Sequence, residues 1–413
     1  MNPPSARFQL LVTLLAMVAI GAIAELVLRA ANLRFDTTFY IADSQLGWAL
    51  RPGLEGWMVS EGHQFVRINS DGMRAREFSA RKPSGTLRIA VLGNSWTEAL
   101  QVPMEKDFCS VLERKLSGSP CAGGRRVEVL NFGVSGYAMA QELLELRTRV
   151  WKYNPDIVLV AFYTARDVLN NVRQFNTAAD PAESPYFKFS GDRLVLDDSF
   201  RSLPEFRRSS MLTQRIRSDV DDNVRILQTT SHVVRLLRIA AAKATLSEDT
   251  SAGGGGIGLE DAIYSPLVSP AIANAWKVTE RLLLLMRDEA ASHNTPLLVV
   301  TLANRAQVNP DAGARRKLME TLGVGNLDYP DERLQALGAS AGIAVTSLAH
   351  RLSEYAQRNQ AFLNGFPNTA MGQGHWNELG HRVAGEAIAD DVCSFLQTHR
   401  PAQVQSAANT PSR

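Results

Sequence analysis

The sequence predicts an α/β fold, a parallel sheet covered on both faces, preceded by one membrane-spanning helix. Two observations predict it. From residue 85 onward, short and almost wholly apolar strands alternate with helical stretches. A strand buried on both faces has no wet side, so it reads as a continuous apolar run and not as an alternating one. At the other end, Phe8 to Leu28 is apolar apart from polar interruptions such as Gln9 and Glu25. Its length matches the ~20 residues that a helix needs to cross a hydrocarbon layer ~30 Å thick.

The chain has 413 residues, 45% of them hydrophobic, enough for one large core or two smaller ones. Its formal net charge is only +2, which points away from nucleic acid as a partner. The three cysteines, Cys109, Cys121 and Cys393, match no metal-ligand spacing, so neither a metal nor another cofactor is expected. Cys109 and Cys121 are near enough in sequence to pair in an oxidising compartment. Three unpaired small hydrophobes are the plainer expectation.

Arg7 precedes the apolar N-terminal run, and Arg29 and Arg34 follow it, so flanking charge does not orient the helix. Ala22-Ile23-Ala24 has the small-x-small form of a signal-peptidase site. Apolar character resumes at Leu26-Val27-Leu28, which favours an uncleaved anchor over a cleaved signal. Either way the rest of the chain is exported. Residues 1–36 are read as this anchor, and 37–84 as a lead-in of short strands and turns. An α/β domain over 85–398 carries an insertion at 172–268, and 399–413 is read as a disordered tail.

Within the α/β domain, strands are expected at Leu87–Leu92, Val127–Asn131, Asp156–Phe162, Pro296–Thr301 and, more weakly, Ile343–Ser347. Helices are expected from Pro103 to about Leu116, Met139 to Tyr153, Ala271 to Ala291, Asp331 to Leu337 and Trp376 to Leu396. The insertion is polar, with a helical stretch from Val224 to Ala242 and a flexible Gly253-Gly254-Gly255-Gly256, and is read as a cap over the sheet.

Ligands of an open parallel sheet collect at the carboxyl ends of its strands. Ser95 follows the first core strand, Gly136 the second and Asp167 the third, while His375 precedes the last helix. Taken alone, Ser95 would read as a helix N-cap and Gly136 as a turn glycine. Together they offer a hydroxyl nucleophile, a base to take its proton and a backbone N–H for an oxyanion.

These blocks are Gly93-Asn94-Ser95-Trp96, Asn131-Phe132-Gly133-Val134-Ser135-Gly136-Tyr137, Phe162-Tyr163-Thr164-Ala165-Arg166-Asp167 and Gly374-His375-Trp376-Asn377. In that order they resemble the SGNH/GDSL hydrolase superfamily, and above all its membrane-anchored bacterial members. The resemblance implies a flavodoxin-like three-layer sandwich of about five parallel strands (the SGNH fold) and ester chemistry on acyl groups. It implies Ser95 as nucleophile, His375 as base, and the N–H groups of Ser95 and Gly136 as oxyanion donors. Three positions depart from the family pattern. Asn94 stands for the usual aspartate, Arg166 for an oxyanion-donating asparagine, and Gln373 with Gly372 for the acid before the histidine. Arg166 is a candidate replacement donor, and Asp328, Asp331 or Glu378 a candidate replacement acid.

The expected function is a cell-envelope esterase or O-acyltransferase, acting on acyl, chiefly acetyl, esters of a glycan or related exported product. The competing expectation is a domain without catalysis that serves as a polysaccharide-binding or assembly module. The expected setting is a bacterial inner membrane, spanned once by residues 8–28 with the domain in the periplasm. Expected partners are an acylated glycan or small ester, and a membrane acyl-transfer or polysaccharide-export protein.

Overall fold

The computed structural model describes residues 5–31, 35–175, 184–231, 233–234, 259–266 and 269–398. The tetraglycine, the tail after Pro401 and most of the stretch expected to be helical beyond residue 231 lie outside these residues.

α1 (Ala6–Ala30) is capped by the Ser5 side chain, which accepts from the Phe8 N–H. Its Arg7–Ala30 portion is long and apolar enough to cross a membrane, with a mean hydropathy of 2.5 over an 18-residue window in which no residue is fully buried. The lead-in forms two antiparallel hairpins, β1 (Tyr40–Asp43) with β2 (Gly47–Leu50) and β3 (Glu55–Met58) with β4 (Gln64–Arg67).

The core sheet has five strands, all parallel: β5 (Thr86–Gly93), β6 (Arg126–Gly133), β7 (Ile157–Tyr163), β10 (Leu297–Leu302) and β11 (Ala344–Ser347). Their order across the sheet is β11-β10-β7-β5-β6. Counted from β5, that is the flavodoxin-like 2-1-3-4-5 order, with its switch point between β5 and β7. Successive side chains of a strand point to opposite faces, and the sheet divides accordingly. Ala90, Leu92, Leu130, Phe132, Val158 and Val160 pack into one buried cluster. Ile89, Val91, Val127, Val129, Leu159 and Val300 pack into the other. This two-sided burial is why the strands read as unbroken apolar runs.

The three strands that carry the site end flush. Gly93 pairs with Gly133 on one side and with Ala161 on the other. The short α2 (Ser95–Glu98) follows β5 directly. α3 (Phe108–Ser117) begins after a 3₁₀ turn at Met104–Lys106, so the single helix expected from Pro103 is two elements. Past α4 (Met139–Glu145), the helix expected to reach Tyr153 loosens into a π turn and then a 3₁₀ turn. α5 (Asp167–Asn170) follows β7. The insertion region supplies the hairpin β8 (Tyr186–Ser190) with β9 (Arg193–Asp197), then α6 (Pro204–Ser209) and α7 (Leu212–Asn223). Two helices that periodicity did not announce, Ala312–Leu322 and Ala349–Asn359, complete the layers with Pro270–Ser292, Tyr329–Ala341 and Glu378–Thr398.

The cysteine pairing differs from the expectation. Cys121 is bonded to Cys393, 272 residues away, with a Cα–Cα distance of 5.3 Å. Cys109 is a buried free thiol. It lies on the core face of α3, whereas Cys121, in the loop before β6, meets the last helix.

Candidate active site

Ser95 is the first residue of α2. Asn94 caps that helix: its Oδ1 accepts from the Trp96 N–H at 3.0 Å, while its Nδ2 donates to Asp167 Oδ1 at 2.7 Å. Asp167 Oδ2 accepts the Tyr163 N–H at 2.7 Å. Asn94 and Asp167 therefore brace β5 against the end of β7 at the switch point. An asparagine at 94 has a local reason, since a carboxylate there would face a second one at 167. Asp167 is fully buried, and burial pushes its carboxyl up to about 7.

His375 Nε2 lies 2.8 Å from Ser95 Oγ. On the far side of the ring, Nδ1 lies 2.6 Å from Glu61 Oε2, and the His375 backbone N–H donates to Glu61 Oε1 at 2.7 Å. Glu61 thus grips both the ring and the backbone of the histidine. With the proton on Nδ1, Nε2 is free to accept the serine proton. Burial pushes the Glu61 carboxyl up, but the hydrogen bonds and charge of His375 outweigh it and hold the group below the ordinary carboxylate range.

The acid is therefore not one of the three expected. Asp331 is buried under the sheet, accepting from Thr301, Ser347 and Gln307. Glu378 pairs with Lys106 at 2.5 Å, and Asp328 stands at the N-terminus of helix Tyr329–Ala341. Glu61 comes from the turn between β3 and β4. Asn368 fixes that turn: its Nδ2 donates to the Val59 and Gly62 carbonyls, and its Oδ1 accepts the Gly62 N–H at 3.0 Å. The loop that precedes His375 thereby holds the acid in place.

The site has a tight spot at Gly374. Its φ is +69°, and a Cβ there would sit 2.1 Å from Glu61 Oε1. Gly374→Ala is expected to push the carboxylate off the ring and lower any turnover that runs through Ser95 and His375 by about 10²-fold or more, with the protein still folded by circular dichroism. Unchanged turnover would mean that Glu61 does not orient the histidine.

Gly136 follows β6 with φ +80°, a conformation that side chains rarely adopt. Among the described residues, neither its N–H nor that of Ser95 makes a hydrogen bond. The turn that presents Gly136 is held from two sides. Trp48 Nε1 of β2 donates to the Ser135 carbonyl at 2.9 Å, and the Ser135 hydroxyl donates to the buried Glu98 carboxyl, which also accepts from Tyr40 O–H at 3.0 Å. The lead-in thus contributes to both ends of the site.

Burial raises Glu98 to about 7. A carboxyl with a raised pKa in the folded state binds a proton that the unfolded chain, with a value near 4.5, has already released. Its contribution is fully present below about 4.5 and is lost as pH rises through about 7. Glu98→Gln is expected to flatten that decline, gaining on the order of 1–3 kcal/mol over the parent at pH 8 while matching it near pH 4.5. Urea melts at the two pH values check this. An equal effect at both would assign Glu98 no titration.

Arg166 and Gln373 stand apart from the relay. The Arg166 guanidinium reaches Glu260 Oε1 at 2.5 Å, so it sits in an ion pair on the cavity wall. Gln373 is exposed and accepts from Arg305 at 2.5 Å. Ser95, Gly136, Arg166 and His375, with Trp48 and Tyr163, line one cavity of about 1070 Å³. Asn170, a turn beyond Arg166, also lines it, a residue the sequence did not mark. Among the described residues, no cluster of three or more His, Cys, Asp or Glu is arranged to hold a metal ion.

No family model and no curated protein matches the chain. Among solved structures it is similar to the acetyl xylan esterase AlAXEase, with 14% identity over 75% of this chain and 99% of that one, at a TM-score of 0.36. It is similar to a GDSL-like lipase from Bacteroides thetaiotaomicron, with 11% identity over 77% and 92% of the two chains and a TM-score of 0.33. A lipase/acylhydrolase from Enterococcus faecalis gives 14% identity over 75% and 96%, at 0.33.

Proposed function

We propose that this chain is a serine esterase or O-acyltransferase working through an acyl-enzyme on Ser95. The observation that carries the reading is the unbroken relay from Ser95 Oγ to His375 Nε2 at 2.8 Å, and from His375 Nδ1 to Glu61 Oε2 at 2.6 Å. His375 takes the hydroxyl proton as Ser95 attacks the ester carbonyl. The N–H groups of Ser95 and Gly136 receive the oxyanion, and His375 returns the proton to the departing alcohol. Water or an acceptor hydroxyl, deprotonated by the same ring, then releases the acyl group. The substrate read for this site is an acyl ester, chiefly acetyl, of a glycan or related exported product.

The envelope setting has separate support. The Cys121–Cys393 bond suits an oxidising compartment, and the apolar α1 suits a single anchor with the domain on the periplasmic side of a bacterial inner membrane. The competing reading, a binding or assembly module without catalysis, rested on Asn94, Arg166 and Gln373 standing where the family's polar catalytic groups stand; Glu61 behind the His375 ring supports catalysis over it.

Incubating the membrane-extracted full chain with a fluorophosphonate probe tests the function. One label is expected, on Ser95, together with acetate release from acetylated saccharides. Folded protein that takes no label and releases no acetate would overturn the reading.

A further inference from the structure

We infer that α7 rests one face on the lipid bilayer, and that the Ser95 cavity receives its acyl ester from an amphiphile held in that bilayer. This rests on the esterase reading above for the chemistry, and on surface geometry for the membrane contact. Leu212, Ile216 and Val220 recur every four residues, so they share one face of α7. They are exposed by 71%, 53% and 44%. Leu227, Val233 and Val234 extend the exposed apolar surface beyond the helix. A soluble surface rarely carries such a contiguous patch uncovered.

The rest of α7 is committed elsewhere. Asp219 and Asp222 pair with Arg51 of the lead-in, and Asp222 also accepts the Thr38 N–H at 3.1 Å. Gln214 and Ser218 line the cavity that holds Ser95, joined by Met211 just before the helix and by Leu212, the first residue of the apolar stripe. One helix therefore borders the reactive serine on one side and presents bare apolar side chains on another.

The position of α7 identifies what covers that face. The end of α7 is fastened to the last turns of α1, the helix long and apolar enough to span a membrane. Glu25 accepts the Arg225 and Ile226 N–H groups at 3.1 and 3.0 Å, and Arg29 donates to the Asn223 carbonyl at 2.7 Å. With α1 in the bilayer, the chain at 223–226 is held at its surface. α7 then has the make-up of an interfacial helix, an apolar stripe beside polar and charged positions that include the exposed Arg217, paired with Asp221 at 3.9 Å. An ester whose lipid portion stays in the bilayer reaches Ser95 along α7 without full transfer into water.

The test uses the full chain in nanodiscs of phosphatidylcholine and phosphatidylglycerol. Cys109 is buried and the other cysteines are paired, so a bimane label on Ile216→Cys reports that site alone. The label is expected to be quenched by brominated lipid and shielded from iodide, with the reverse for a label on exposed Arg358→Cys. In parallel, Ile216→Glu/Val220→Glu is expected to lower hydrolysis of a long-chain ester dissolved in the disc by about tenfold or more. Hydrolysis of a water-soluble acetyl ester is expected to be unchanged. A label at 216 open to iodide overturns the inference. So does one shielded from iodide but untouched by brominated lipid, the result that a second protein chain on this face would give. Equal loss on both esters also overturns it. A parent protein inactive on both esters would instead defeat the esterase reading, and the quenching result would still decide the membrane contact.

Discussion

Ser95→Ala is expected to reduce turnover of a soluble acetyl ester by about 10⁵–10⁶-fold and to abolish fluorophosphonate labelling, while leaving the melting temperature nearly unchanged. The magnitude follows from the way relay residues act as a unit: removing the nucleophile of such a set costs about as much as removing every member. The small stability change follows from the position. Ser95 is the first residue of α2, and the cap of that helix is the Asn94 side chain and not the serine hydroxyl. Among the described residues, the only side-chain partner of the hydroxyl is the His375 ring. His375→Ala is expected to match it in rate, and the double variant to be no worse than either single one. Near-parent turnover in folded Ser95→Ala would dismiss the acyl-enzyme. Losses that multiply in the double variant would mean that serine and histidine act separately.

How the site was legible follows from where its residues sit. Ser95, Gly136 and Asp167 were readable because each stands just past an apolar strand, and a parallel sheet brings all such ends to one edge. The strands themselves were readable because both of their faces are buried. His375 was readable from its place before the last helix. Glu61 was not. It lies 314 residues from His375, in a turn whose sequence, Ser60-Glu61-Gly62-His63, has no strand beside it in the core sheet. What brings it to the ring is a set of contacts from Asn368 to backbone groups of that turn, and no local pattern encodes those. The Cys121–Cys393 bond was hidden for the same reason: sequence proximity offered only Cys109 as a partner, and three unpaired thiols were the plainer expectation. Arg166 was read as a replacement oxyanion donor; its pairing with Glu260, which comes from the insertion region, was not legible. Local chemistry thus announced the residues on the sheet, while those delivered by the lead-in and the insertion needed the tertiary fold.

Glu61→Gln is the sharper test of that delivery, with an expected fall in turnover of about 10⁴-fold and little change in KM, as for loss of the orienting acid of a serine triad. The carboxylate makes two contacts as an acceptor, Oε1 with the His375 backbone N–H and Oε2 with the ring Nδ1. Glutamine has a single acceptor oxygen. If that oxygen stays on the backbone N–H, the amide nitrogen donates to Nδ1 and drives the ring proton to Nε2, where the ring cannot take the proton of Ser95. If the amide flips, the backbone N–H loses its acceptor and the loop that carries His375 loosens. Either outcome lowers turnover without touching the cavity that binds substrate, so the effect falls on kcat. The pH dependence separates this from a merely structural role. Glu61 is held below its ordinary value of 4.5 in the folded protein. The stability it contributes is therefore present above about 4.5 and lost as pH falls through its lowered folded value. Denaturant melts are expected to show Glu61→Gln less stable than the parent at pH 7, with the gap closing below about pH 4 as the parent takes up the same proton. A gap that stays constant across that range, with kcat unaltered, would return the acid to the unassigned part of the site.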